Sequence, residues 1–267
     1  MSLQKWIKDR AIHGYPSFSI DDVREAGLYS SEQIMKNELG RLCSNNTIAN
    51  VYRGFYVITP VHYVLRGSIP ATYYIDQLMD YLRKPYYVCM LSAAELLGAA
   101  HQRPQQFSVM TTYPRRQLIS TRNITIDWYY RESMPEDALV IKNTETGTIR
   151  ISNSLLTAAD LVQNQQHVGG LSRVATILEE LVEKIDIDSQ FKTLVPYVNT
   201  VTWQRLGYIL ENVIEDNNTA DKLYEQLHAI SARMVYKPLS TSAADNSSDR
   251  DCRWKVNINS QIETDDL

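Results

Sequence analysis

A chain of 267 residues, 44% hydrophobic and 22% charged with 10 Gly and 9 Pro, has an ordinary globular composition and room for one large or two modest domains. Cys43, Cys89 and Cys252, odd in number and without a C-x-x-C pair, suggest neither a disulfide framework nor a zinc site. The net charge of −4 argues weakly against a chain that coats nucleic acid along its whole length, yet residues 1–150 hold 17 Lys+Arg against 14 Asp+Glu and the remainder 10 against 17, so local DNA contact is permitted in the first half.

Lys5, Lys8, Asp9 and Arg10 stand where a secretory signal needs an apolar run, and no uncharged apolar stretch approaches the roughly 18 residues of a membrane span. A cytoplasmic protein without membrane segments is expected. Residues 3–12 place Leu3, Trp6, Ile7 and Ile12 on one side of a short helix that Gly14 and Pro16 end. Ser19 and Asp22 make a capping pair for a second helix over 20–26, with Gly27 at the left-handed C-cap. Ser30 and Gln33 form another S-x-x-Q cap for a third helix running to about Cys43. At about 100° per residue, Met35, Leu39 and Leu42 share one side, while Gln33, Asn37, Gly40 and Ser44 lie opposite, flanked by Lys36 and Arg41. Residues 47–52 and 55–59 are β-branched and aromatic, and Arg53-Gly54 supplies the turn between them. Three short helices followed by a hairpin are the plan of a winged helix-turn-helix over residues 1–60, its third helix built to enter a DNA groove.

Residues 61–84 read as an irregular crossing and then a connecting helix over 73–82, with Ile75, Leu78, Met79 and Leu82 as its apolar stripe and Pro85 closing it. A short strand at 88–91 precedes Ser92-Ala93-Ala94-Glu95, an S-x-x-E cap for a helix to about residue 100. Strands follow over 107–112, 124–130, 139–142 and 148–152, then helices over 155–164, 171–185, 190–197, 201–214 and 219–236. Polar residues 240–251 read as a mobile linker, and Trp254 to Asn259 alternate as a final strand returning to the sheet. The fold class is therefore α+β: the winged helix-turn-helix, the connecting segment, and a mixed domain over 85–267 with a small sheet packed against helices.

Lys36 and Arg41 read as phosphate clamps, and Gln33 and Asn37 as base readers, because side-chain amides pair bidentately with adenine. The competing reading is a solvated helix face. Arg53, supported by Tyr52 at the wing tip, can reach a phosphate or the minor groove, while Arg24 and Lys5 read as surface charges. Arg115 and Arg116, with Arg122 and Arg131 nearby, are either a secondary nucleic-acid contact or a solvated sheet edge. Ser92, Glu95 and His101 lack a G-x-S-x-G elbow, and Glu180 and Lys184 have the spacing of an i,i+4 ion pair, which also explains part of an Asp160, Glu180, Glu183, Lys184 nuclease arrangement. The five histidines are isolated. No catalytic residue, metal or cofactor is expected.

From Gly54-Phe55-Tyr56-Val57-Ile58-Thr59-Pro60 onward, further pieces follow in order: Ile69-Pro70-Ala71-Thr72-Tyr73-Tyr74, Leu91-Ser92-Ala93-Ala94-Glu95-Leu96-Leu97-Gly98, Thr157-Ala158-Ala159-Asp160-Leu161-Val162, Gln204-Arg205-Leu206-Gly207-Tyr208 and Trp254-Lys255-Val256. In that order and spacing, over roughly residues 5–260, the chain resembles the AbiEi-type antitoxins of type IV toxin-antitoxin and phage-defence systems. The resemblance implies a transcriptional autorepressor whose winged helix binds inverted repeats of double-stranded operator DNA upstream of a bicistronic operon. It also implies a C-terminal domain that counteracts a nucleotidyltransferase-like toxin without a stable complex. A single small winged helix makes few phosphate contacts, so a monomer in solution and a dimer on DNA are expected. The alternatives are a winged helix fused to a nuclease-like enzyme domain, and an antitoxin that binds its toxin directly.

Overall fold

The computed structural model describes residues 1–29, 31–65, 67–99, 104–115, 126–245 and 248–263. Its contacts divide the chain into two compact units: Met1–Tyr86 with Val109–Glu132 and Ile141–Arg150, and Tyr87–Ser108 with Ser133–Val140 and Ile151–Leu267.

The first unit opens with α1 (Leu3–Ile12), β1 (Ser17–Ser19), α2 (Ile20–Glu25), α3 (Glu32–Ser44), β2 (Ile48–Tyr52) and β3 (Phe55–Ile58). The three strands form an antiparallel sheet of order β1-β3-β2. At α2 both halves of the expected capping box are made: Ser19 Oγ accepts the Asp22 N–H at 3.0 Å and Asp22 Oδ2 accepts the Ser19 N–H at 2.6 Å. The α3 start differs from expectation, since Ser31 stands at its N-cap without a side-chain hydrogen bond. Ser30 lies outside the described residues. Leu3, Trp6 and Ile7 of α1 bury against Phe18, Val23, Met35, Leu39, Leu42 and Ile48, and Phe18 lies between the Trp6 edge and the stacked Tyr56 ring, 5.4 Å from each. Each such side chain contributes roughly 1.5–3 kcal/mol by leaving water, which is what holds three short helices on a small sheet.

α4 (Val61–Val64) and a 3-10 turn (Ala71–Tyr73) lead into α5 (Ile75–Leu82), which buries Ile75, Leu78, Met79 and Leu82 as its spacing predicts. Arg83 caps α5 in the left-handed conformation, φ 52°. β4 (Tyr86–Val88), β5 (Phe107–Thr112), β6 (Ile126–Arg131), β7 (Leu139–Thr144) and β8 (Gly147–Ser152) form a five-stranded sheet of order β6-β5-β4-β8-β7, with β4 and β8 parallel at Val88 and Ile151.

The second unit holds α6 (Met90–Leu96), α7 (Ser154–Gln163), α8 (Leu171–Leu181), α9 (Ile187–Leu194), α10 (Thr200–Asn212) and α11 (Asn217–Ala229). α7 and α10 are its centre: Ser154 to Val162 and Thr202 to Leu210 are buried without interruption, so these helices have no polar face. α6 begins at Met90, two residues before the expected cap, and Ser92 lies inside it with its Oγ accepting the Ser108 N–H at 3.0 Å. α11 stops at Ala229, short of 236. Instead of joining the main sheet, β11 (Val256–Asn257) pairs with β9 (Lys237–Pro238) and β10 (Arg250–Asp251) in a separate sheet of order β10-β11-β9. Within the expected linker, Ser240 is buried and its N–H donates to Asn259 Oδ1 at 2.8 Å, while Asp245 accepts from Asn257 Nδ2 at 3.1 Å. No helix of the described residues is long and apolar enough to cross a membrane.

Candidate nucleic-acid interface

Burial of Met35, Leu39 and Leu42 beneath α3 leaves its opposite face to solvent. That face carries Gln33, Lys36, Asn37, Gly40 and Arg41, all exposed. Gln33 Nε2 donates to Asn37 Oδ1 at 2.9 Å, so the two amides stand side by side. A methyl group on Gly40 would meet nothing within 4 Å, which leaves the middle of the face flat and open. Ile34 is 55% exposed on the helix surface and offers an apolar side chain of the kind that contacts a thymine methyl. The sequence reading missed it, though an apolar residue off the Met35-Leu39-Leu42 stripe was the available signal.

Each α3 cation carries its own carboxylate. Lys36 Nζ lies 3.5 Å from Glu32 Oε2, and Arg41 Nη2 lies 2.6 Å from Glu38 Oε1. Arg24 of α2 donates to Glu32 Oε1 and to Asp21 Oδ1, both at 2.6 Å. The hydrogen bonds to Glu32 and then Asp21 hold the Arg24 guanidinium above its ordinary range, the bond from Arg24 holds the Glu32 carboxyl below its own, and Glu38 raises Arg41. Exposed pairs of this kind add little to stability and exchange readily for another anion.

A cleft of about 890 Å³, lined by Arg24, Lys36, Tyr52, Arg53, Tyr56 and Tyr81 among others, opens beside the β2–β3 turn. Gly54 makes the turn with φ +76°, a conformation that favours glycine. Two contacts hold that turn in place: the Ile20 N–H donates to the Gly54 carbonyl at 2.8 Å, and Tyr81 Oη donates to the Arg53 carbonyl at 3.3 Å. The Tyr81 ring also lies 5.2 Å from Phe55 and 6.3 Å from Tyr52. Burial, followed by the charge of Asp21, pushes the Tyr81 phenol above its usual range. The Arg53 side chain is exposed and, among the described residues, faces no carboxylate in an ion pair.

Of the residues singled out in the sequence, Lys36, Tyr52 and Arg53 therefore converge on one cleft, and Gln33, Asn37 and Arg41 share the exposed face of α3. Arg24, read as a surface charge, and Tyr81, assigned to a connecting helix, join the cleft as well. Arg115 does not line it. Its guanidinium lies over Tyr113 and Tyr130, 5.9 and 5.5 Å from the ring centroids. Arg116, Arg122 and His101 lie outside the described residues.

In the second unit Asp160 is buried in α7 and accepts a hydrogen bond from Tyr87 Oη at 2.9 Å. Lys184 Nζ donates to the Leu97 and Gly98 carbonyls at 2.5 and 3.1 Å, so packing occupies two members of the nuclease arrangement. Among the described residues no group of three His, Cys, Asp or Glu side chains is placed to hold a metal ion.

Residues 86–212 match the family model of the AbiEi antitoxin C-terminal domain. The crystal structure of the RV2827C protein from Mycobacterium tuberculosis is similar in fold, with a TM-score of 0.67 at 13% identity over 95% of this chain and 89% of that one. No curated protein matches the chain. The matched stretch runs from β4 through α10 and includes α7 and α10, the central helices of the second unit. Residues 86–212 thus resemble the AbiEi antitoxin C-terminal domain, which supports reading the chain as an AbiEi-type antitoxin.

Proposed function

We propose that the protein is a DNA-binding antitoxin that represses its own operon, with residues 1–60 acting as a winged helix-turn-helix. In this reading α3 enters the major groove, Gln33 and Asn37 read bases, Lys36 and Arg41 hold phosphates, and Arg53 with Tyr52 engages the flank of the site. The observation that supports it best is the exposed α3 face, where the Gln33-Asn37 amide pair stands between Lys36 and Arg41 beside the Arg53 turn. The element order α1-β1-α2-α3-β2-β3 agrees with it. Two copies on an inverted repeat, monomeric in solution, compensate for the few phosphates that one copy can neutralise. The C-terminal domain counteracts a nucleotidyltransferase-like toxin, without a stable complex, in the cytoplasm. Arg115, exposed over Tyr113 and Tyr130, supports a secondary nucleic-acid contact together with Arg116.

A gel-shift titration on the DNA upstream of the operon tests the reading. Lys36→Ala with Arg41→Ala abolishes the shift while circular dichroism reports an intact fold; binding equal to the wild type would remove α3 as the recognition element.

A further inference from the structure

The β2–β3 turn that carries Arg53 is short and would be free to move if only its own strands held it. Besides the bond from the Ile20 N–H to the Gly54 carbonyl, it is held from outside residues 1–60. Tyr81, 27 residues beyond Gly54 on α5, places its hydroxyl over the turn, donating to the Arg53 carbonyl at 3.3 Å. The contact is close enough that a Cβ on Gly54 would lie 3.0 Å from Tyr81 Oη and 3.3 Å from Ile20 Cγ2. The same ring packs on Phe55 and Tyr52, the two residues that flank the turn. Tyr81 also walls the cleft that has Lys36 and Arg53 among its other lining residues. The contact fixes the backbone from which the Arg53 guanidinium projects.

We propose that α5 is part of the DNA-binding surface: Tyr81 is a positioning residue that locks the turn, so that the cleft receives one sugar-phosphate strand of the duplex between Lys36 and Arg53. The inference rests on the DNA-binding reading and adds to it an element that the winged-helix boundary at residue 60 leaves out. The chemistry of the cleft fits such a strand. Arg24 satisfies the Asp21 and Glu32 carboxylates nearby, which leaves Arg53 and the loosely paired Lys36 as the cations able to meet phosphate. Tyrosine rings supply a surface for sugar and base edges. A turn already ordered costs less to immobilise on binding than a mobile one, so its phosphate contact is made at a smaller entropic cost.

The test is a double-mutant cycle read by fluorescence anisotropy on the upstream duplex across a range of salt concentrations, with full-length protein. Arg53→Ala lowers affinity and reduces the slope of log K against log salt by about 0.9, the signature of one lost phosphate contact. Tyr81→Ala is expected to do the same, and the double variant to be no weaker than either single one. Tyr81→Phe, which keeps the ring but loses the hydroxyl, recovers most of the affinity and slope. Should Tyr81→Ala fail to fold, Tyr81→Leu and Tyr81→Phe carry the comparison. Tyr81→Ala or Tyr81→Leu with wild-type affinity and slope, or losses that multiply independently of Arg53→Ala, overturn the inference while the DNA reading stands. A wild type that does not bind the duplex, or binding that survives Lys36→Ala with Arg41→Ala, overturns both.

Discussion

Gly207 of α10 and Trp254 occupy each other's space: a methyl carbon added to Gly207 would fall 2.1 Å from Cζ3 of the Trp254 ring. Trp254 is fully buried there, its indole N–H donates to Glu211, and its carbonyl accepts from Gln204 Nε2 at 2.6 Å. Glycine inside a helix ordinarily weakens it, so its use at 207 is explained by the ring it admits. Gly207→Ala is expected to destabilise the protein by about 3 kcal/mol through overpacking, measured by urea denaturation. In a Trp254→Phe background the same change should cost clearly less. Equal costs in both backgrounds would show that the contact is not the cause.

Tyr74 is wholly buried and its hydroxyl meets no hydrogen-bond partner among the described residues, whereas the Tyr86 hydroxyl donates to Asp76 Oδ1 at 2.8 Å. Tyr74→Phe removes an unsatisfied polar group and is expected to stabilise the fold by about 1 kcal/mol, while Tyr86→Phe destabilises it. Burial raises both phenols above their usual range. Their folded-state values therefore lie above the unfolded value of about 10, so their contribution is complete below that pH and is lost as pH rises beyond it. Denaturation at pH 8 and pH 11 should show a smaller alkaline loss for Tyr74→Phe than for the wild type.

Arg24 holds Glu32 ionised. A carboxyl with a lowered folded-state value contributes stability above its unfolded value, about 4.3, and loses it as pH falls through the folded value. In an NMR titration the Glu32 midpoint should lie below the ordinary range in the wild type and return toward it in Arg24→Ala. An unmoved midpoint would mean that the guanidinium is not its cause.

If α3 binds DNA as proposed, base reading and phosphate clamping are expected to separate in binding measurements. Asn37→Ala is expected to narrow the affinity gap between operator and scrambled duplexes and leave the salt slope unchanged. Lys36→Ala should weaken both duplexes alike and lower the slope by about 0.9. A reversed pattern would exchange the roles of the two residues.

Helices with a strong one-sided period were legible in the sequence: α1 and α3 fall within a residue or so of where their apolar spacing places them, and the Ser19-Asp22 pair forms as its residue types dictate. β1 was not legible, because Ser17–Ser19 is too short for alternation to show and is fixed by pairing with Phe55–Val57. The misplaced cap at Ser92 has a related origin. Its hydroxyl suits a helix start equally well, but the strand carrying Ser108 claims it. The α3 face was readable from its period alone. The cleft was not, since Tyr81 reaches it through tertiary packing across 27 residues that no local pattern records.

The carboxylates that accompany Lys36 and Arg41 bear on how long such a repressor would stay on DNA. A helix that brings its own counterions gains less from an arbitrary stretch of duplex, because each phosphate must first displace Glu32 or Glu38. Dwell time off target is then short, and retention depends on base contacts and on a second copy alongside. Occupancy of a promoter under that regime rises steeply with the number of antitoxin molecules in the cell, and a modest fall in that number is enough to reopen transcription.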